Sequence, residues 1–286
     1  MKRADGNALR MKVQEGYGRI ARQGGSCCGP AKSCCGSSNA DARAENIGYD
    51  EAELSVLPEG ANMGLSCGNP TAIASLEPGE VVLDIGSGGG FDVFIAGKKV
   101  GASGRAIGVD MTPDMLTRAR GNITAYERKT GLNNVEFRLG EIEHLPVPDN
   151  SVDVIISNCV INLSPDKPRV WREMFRVLKH GGRVAASDMA LLRPLPEVIG
   201  WRVEALIGCV AGAVLLEETR QMACAVGFRD VVLTPQPSHV DAMFGEQDPS
   251  YREFVRHLPK GTTLSDFITS VDVEARKAWC CSGTRG

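Results

Sequence analysis

Ten cysteines among 286 residues are the feature of this sequence that carries the most chemistry. Four stand within nine residues, as Cys27-Cys28 and Cys34-Cys35, in a stretch of Gly, Ser and Pro with nothing apolar to bury except sulfur. Cys67, Cys159 and Cys209 stand singly in three distant segments, Cys224 sits in a helical pattern at core spacing, and Cys280-Cys281 follows the last patterned segment. Thiolates are soft ligands for thiophilic metals and metalloids, and they exchange electrons through disulfides. Taken one at a time, Cys159 and Cys209 read as small core residues. Cys67, in a loop without periodic packing, reads as a functional thiol. His144, His180, His239 and His257 read as turn or surface residues, so no acid-paired histidine base is expected.

Composition narrows the partners. The chain is 43% hydrophobic and 23% charged with a net charge of −3, which excludes collagen-like, coiled-coil and wholly disordered classes. Without a basic surplus, neither nucleic acid nor an anionic membrane is expected as a partner. The first ten residues are polar, and the longest uncharged apolar run, residues 205–216, is shorter than the roughly 20 residues of a spanning helix. The expectation is a cytoplasmic protein whose thiols are reduced and whose fold needs no structural disulfide.

These thiols must be positioned by something, and the periodicity predicts what. Residues 1–20 are patterned as a short helix, 24–41 as a flexible loop, 50–57 as a helix ended by Pro58, and 59–70 as a Gly/Asn-rich loop. From Gly79 strands alternate with helices. The short apolar run at 81–85 reads as a strand buried on both faces, and 105–109, 134–139, 152–157, 183–187 and 231–234 read as further strands. Helices are expected at 91–100, from Thr112 to about Lys129, from 166 or 167 to 178, and near 196–207 and 217–226. Phe267 to Ala275 alternates with a period of two, as a half-buried strand does. The fold class is therefore α/β, a doubly wound, mostly parallel sheet. The division expected is 1–58 as an N-terminal helix and Cys-rich loop, 59–235 as the core, and 236–286 as a small C-terminal region with the last strand and a Cys-Cys tail.

Leu83-Asp84-Ile85-Gly86-Ser87-Gly88-Gly89-Gly90-Phe91-Asp92 joins the first strand of that core to its helix. Glycines let backbone approach a ligand and leave helix N–H groups free. Phe91 stands where the dinucleotide fingerprint needs a glycine. Asp84 ahead of the turn suits a ligand with an amino-acid tail, and Asp110, ending the second strand, is placed to accept from ribose hydroxyls. Over about residues 77–235 the chain resembles the class I S-adenosylmethionine-dependent methyltransferases. That resemblance implies a seven-stranded sheet with one late antiparallel strand, for which Phe267 to Ala275 is the candidate. It also implies that Asp84, Gly86 and Gly88 hold the methionine end, Asp110 the ribose, and Ile142 and Glu143 the adenine. Met111 and Asn158 complete the cofactor set. Similar signals occur in the quinone C-methyltransferases, so this motif leaves the substrate open.

The three single cysteines narrow it. Asn62-Met63-Gly64-Leu65-Ser66-Cys67-Gly68-Asn69-Pro70, Ser157-Asn158-Cys159-Val160-Ile161-Asn162-Leu163 and Gly208-Cys209-Val210-Ala211-Gly212-Ala213 resemble the cysteine motifs of the arsenite methyltransferases, microbial branch. The resemblance runs from about residue 13 to 235. It implies that Cys67, Cys159 and Cys209 bind As(III), that S-adenosylmethionine is the methyl donor, and that arsenite is methylated in detoxification. It also implies a thiol reductant, glutathione or thioredoxin, as co-substrate. An N-terminal cysteine would pair with Cys67 in thiol exchange; Cys27, Cys28, Cys34 and Cys35 are the candidates, with Cys35 preferred. Soft, three-coordinate As(III) suits three thiolates, and in-line transfer to its lone pair needs no base. The competing readings are a quinone-type C-methyltransferase and a non-catalytic thiol-rich metalloid-binding protein.

Overall fold

The computed structural model describes residues 6–23, 40–195, 212–237 and 257–279. Ahead of the sheet lie α1 (Gly6–Gln23), α2 (Ala40–Asn46), α3 (Glu51–Ser55) and α4 (Pro70–Ile73). Asp50 caps α3 by accepting from Glu53 N–H at 2.7 Å, while Glu53 accepts from Asp50 N–H at 3.0 Å. The alternating core follows: β1 (Val81–Ile85), α5 (Phe91–Val100), β2 (Arg105–Asp110), α6 (Pro113–Gly121), α7 (Ile123–Thr130), β3 (Val135–Leu139), β4 (Val152–Asn158), α8 (Lys167–Val177), β5 (Leu178–Leu191), α9 (Leu216–Ala225), β6 (Phe228–Gln236) and β7 (Ile268–Lys277).

The seven strands form one sheet in the order β3-β2-β1-β4-β5-β7-β6. β1 to β5 pair in parallel, and β7 runs antiparallel between β5 and β6. The alternating segment near the C-terminus is thus the late antiparallel strand that the resemblance implied. Both faces of the sheet are covered. Leu83, Ile85 and Ile155 pack with Val170, Trp171 and Met174 of α8, while Val82, Val154 and Ile156 pack with Phe94 of α5 and Leu116 of α6. Burial on both faces explains why β1 reads as a short apolar run, while β3, at the sheet edge, alternates between buried and half-exposed residues.

The structure departs from the sequence reading in several places. The helix expected from Thr112 to Lys129 is two helices meeting at Asn122, which ends α6 and precedes α7. The strand expected at 183–187 spans 178–191, because α8 passes straight into it. A register shift at Val152/Val154 absorbs Lys179-His180-Gly181-Gly182, and the indole of Trp279 occupies the space a Cβ at Gly181 would need. Cys224, read as core, is exposed, and its neighbour Ala223 is the buried residue of α9. Leu216 and Ala223, seven residues apart, share the inward face, which turns Cys224 outward. The helix expected near 196–207 lies outside the described residues.

Candidate active site

The Gly-rich turn leaves β1 at its carboxyl end, beside the ends of β2 and β4, where ligands of an open parallel sheet bind. Gly86 and Ser87 donate their N–H groups to the Val109 carbonyl at 2.7 and 3.0 Å, tying the turn to β2. Gly86 has φ +77°, and a Cβ there would overlap the side chain of Val160. Only glycine satisfies both constraints. The buried Asp110 carboxylate accepts from Gly88 N–H at 2.9 Å and Thr112 N–H at 2.7 Å. It therefore braces the turn while facing the pocket.

That pocket gathers the whole expected cofactor set: Asp84, Gly86, Gly88, Asp110, Met111, Ile142, Glu143 and Asn158 all line it, and so does Cys159. Met63, Phe91 and Met115 add apolar wall. Arg10, Val13 and Tyr17 of α1 cover one side. Glu143 is nearly fully buried; Ser164 Oγ donates to it at 2.6 Å and Arg10 Nη2 at 3.3 Å. His144 and His180 are exposed, and none of the described histidines lines the pocket.

Two residues of this site carried no assigned role in the sequence. Asp92, in the first turn of α5, is buried in the pocket wall. The Tyr49 hydroxyl donates to its Oδ1 at 2.6 Å, and Asn158 Nδ2 approaches its Oδ2 at 3.3 Å. Burial pushes the Asp92 carboxyl up to about 6, and the Tyr49 and Asn158 hydrogen bonds pull in the opposite direction. Asp84 is raised well above the usual carboxylate range by burial and by the charges of Asp92 and Asp110. Burial and Asp92 likewise raise the Tyr49 phenol. The available signal for Asp92 was an acid in the apolar first half of α5. Tyr49, 43 residues away in sequence, offered none.

The thiols meet at the same edge. Cys67 and Cys159, 92 residues apart in sequence, are joined by a disulfide with Cα atoms 6.1 Å apart. This differs from the expectation of a fold without a disulfide; the N-terminal cysteines that the resemblance implied as exchange partners of Cys67 lie outside the described residues. The physical reason is placement: once two Cα atoms are held at that separation with converging side chains, a bridge needs no backbone movement. Several bonds impose the placement. Cys67 N–H donates to Asn158 Oδ1 at 3.0 Å, Ser270 Oγ to the Cys67 carbonyl at 3.0 Å, and Cys159 N–H to the Ser187 carbonyl at 2.8 Å. Met189, Leu264, Phe267 and Ile268 bury the pair, and Ala213 packs on the same cluster. Asn158 thus serves both sides, turning its Nδ2 to Asp92 and its Oδ1 to Cys67.

Cys27, Cys28, Cys34, Cys35, Cys209, Cys280 and Cys281, with His239, lie outside the described residues. Among those described, no three His, Cys, Asp or Glu side chains cluster as a metal site, and no helix is long and apolar enough to cross a membrane.

A methyltransferase-domain family model matches residues 76–248. The chain is 41% identical over 280 residues to an arsenite methyltransferase of Halobacterium salinarum, covering 96% of this chain and 68% of that one. It is 38% identical over 227 residues to an arsenite methyltransferase of Aquipseudomonas alcaligenes, covering 78% and 62% respectively. The crystal structure of an arsenic(III) S-adenosylmethionine methyltransferase from Chlamydomonas reinhardtii superposes with a TM-score of 0.63 at 34% identity, covering 82% of this chain and 73% of that one. This chain thus spans about two thirds of the length of these curated relatives. With a seven-stranded methyltransferase sheet, an acid-flanked glycine turn and two converging cysteines, the chain belongs to the arsenite methyltransferase family.

Proposed function

We propose that this chain transfers methyl groups from S-adenosylmethionine to trivalent arsenic held by Cys67, Cys159 and Cys209, converting arsenite to methylated arsenicals in detoxification. The observation that carries the proposal is the position of Cys159. It lines the cofactor pocket and is bonded to Cys67, so a metalloid on these sulfurs would sit at the pocket's inner wall.

The pocket fits the cofactor. Its ends differ in chemistry: Ile142 and Glu143 offer an apolar surface with one acceptor for a base, Asp110 an acceptor for ribose, and Asp84 with Asp92 negative charge for a cationic amino-acid end. When bound, S-adenosylmethionine supplies an electrophilic methyl group on a sulfonium. The protein's part is orientation and the exclusion of water. Arg10, Val13 and Tyr17 close over the pocket, and Asn158 holds the Cys67 segment against the wall that carries Asp92.

The disulfide bears on the co-substrate. Thiolates are the ligands for As(III), so a bridged Cys67–Cys159 pair must first be reduced. That supports a thiol reductant, glutathione or thioredoxin, with thioredoxin also a candidate partner. Methyl transfer to the arsenic lone pair would release S-adenosylhomocysteine and leave arsenic formally oxidised by two electrons. Two thiols passing to one disulfide return those electrons. Cys35 is our candidate for exchange with this pair, and residues 1–58 the segment that delivers it to the 59–235 core, with 236–286 supplying the last strand. The cytoplasm, which keeps thiols reduced, suits this cycle.

The test is incubation of the reduced protein with As(III), methyl-labelled S-adenosylmethionine and glutathione, with identification of the labelled products. Label in mono- and dimethylated arsenicals, lost in Cys67→Ser and Cys159→Ser, is expected. As(III) affinity and methylation intact in both variants would overturn the sulfur site.

A further inference from the structure

Near the end of β5, Ser187 and Asp188 point to opposite faces of the sheet, as successive strand residues must. Each holds one of the cysteine-bearing segments. On one face, the Ser187 side chain fills the space a Cβ at Gly68 would need, so the backbone next to Cys67 seats directly on it. Ser187 Oγ is held in turn by donating to Asp272 Oδ1 at 2.8 Å. The Ser187 carbonyl accepts from Cys159 N–H at 2.8 Å and lies 3.4 Å from Cys67 Sγ.

On the other face, the buried Asp188 carboxylate accepts from Asn162 N–H at 3.2 Å, Asn162 Nδ2 at 2.9 Å and Met189 N–H at 2.8 Å. Asn162 Nδ2 also donates to the Met189 carbonyl at 2.5 Å. Lys167 Nζ fastens the same turn by donating to the Asn162 and Ser164 carbonyls at 3.2 and 3.1 Å. Cys159 begins this turn with φ +56°, a left-handed conformation that a non-glycine residue holds only where its surroundings impose it. The Asn162 carbonyl is also a floor for the segment that follows Cys209 in sequence. Gly212 approaches it so closely that a Cβ would overlap it. Two residues on, the Val214 carbonyl accepts from Leu191 N–H at 2.8 Å, pinning that segment to the end of β5.

We propose that Asp188 is a positioning residue for metalloid capture: by clamping Asn162 it sets the Cys159 turn and the seat of Gly212, so that the Cys159 thiol is held beside Cys67 before the ligand arrives. The proposal rests on the arsenic-binding reading above. A three-coordinate soft centre bound by thiols from separate segments gains most when those segments are held in advance. The carboxylate suits the task because it accepts three N–H groups at once. An amide in its place would set an N–H against one of them. Asp188 itself does not line the cofactor pocket, but the turn it clamps meets that pocket at Cys159, Val160 and Leu163, so the thiols are the groups it reaches most directly.

The test titrates fully reduced full-length protein with As(III) and, separately, with S-adenosylmethionine, comparing wild type with Asp188→Asn, Asn162→Ala and the double variant. Each single variant is expected to lose about 10- to 100-fold in As(III) affinity, the range for residues that orient metal ligands. S-adenosylmethionine affinity should fall several-fold less than As(III) affinity, because the turn forms only one side of the cofactor pocket, and the double variant should be little worse than the weaker single, since one clamp is being removed. Undiminished As(III) affinity in Asn162→Ala and Asp188→Asn would overturn the clamp. So would equal losses for both ligands with a falling denaturation midpoint, which would mark a general structural role. Asn162→Ala keeps the question answerable if Asp188→Asn does not fold. If reduced wild type fails to bind As(III), the arsenic reading falls instead, which separates the two failures.

Discussion

Removing one oxygen, in Tyr49→Phe, should move the pH at which this protein binds its cofactor. The ring of Tyr49 packs edge-on against Phe91 with centroids 4.8 Å apart, and phenylalanine preserves that contact. What goes is the hydroxyl that donates to Asp92 Oδ1 at 2.6 Å. A hydrogen bond to a charged group contributes about 1.5–3 kcal/mol, and one pKa unit is 1.36 kcal/mol, so the variant carboxyl should rise by about 1–2 units. From its value of about 6, Asp92 would then titrate at roughly 7–8. The sign follows. A carboxyl attracts a cationic ligand only when ionised, and ionisation is lost as pH falls through the folded-state pKa. At pH 7 wild-type Asp92 is about nine-tenths ionised, and the variant between about a half and a tenth, so affinity for S-adenosylmethionine should drop about 2- to 10-fold. It should recover toward wild type by about pH 9. Calorimetric titration from pH 6 to 9 reads this directly. If the variant's affinity has the same pH profile as wild type, or is lowered by one constant factor throughout, Asp92 is not the group that answers the cofactor's charge.

Other consequences are more local. Gly86→Ala should lower stability by about 2–5 kcal/mol, summing about 1–2 for a left-handed alanine and about 1–3 for overlap with Val160. Adding Val160→Ala should relieve only part of the overlap, since the Cβ of residue 160 stays 2.8 Å away, and leave the backbone strain, as read from denaturant midpoints; an unchanged midpoint in Gly86→Ala would contradict the close approach. Cys224→Ser should change stability by no more than about 0.5 kcal/mol and leave As(III) methylation intact, because the thiol is exposed on the outer face of α9.

Much of the fold was legible because its strands are short, apolar and punctuated by glycine. Val81 to Ile85 and Phe91 to Val100 have in the structure the bounds their pattern predicts. That Asp84, Gly86, Gly88 and Asp110 would line one pocket was legible for a related reason: these acids and glycines fall at strand ends, and a parallel sheet brings its strand ends together. Where a reading depended on which way a side chain turns, periodicity was too coarse. Cys224 and Ala223 differ by one position in α9, and only the packing of Leu216 and Ala223 on the core shows which of them faces inward. Asn122 separates two helices in a run that sequence reads as one. Tyr49 and Asp188 act through partners distant in sequence, so no local spacing marks them.

By itself the sequence determined the class of fold, the glycine turn with its two acids, and the identity of the sulfur groups, because these depend on residue types at short spacing. Tertiary structure alone decided which sulfur meets which. Cys67 and Cys159 are 92 residues apart, and they meet because Ser187, Asp188 and Asn158, at the carboxyl ends of neighbouring strands, hold both segments at one edge of the sheet. Contacts of that range arise from strand order and packing, which put residues side by side that no periodicity relates.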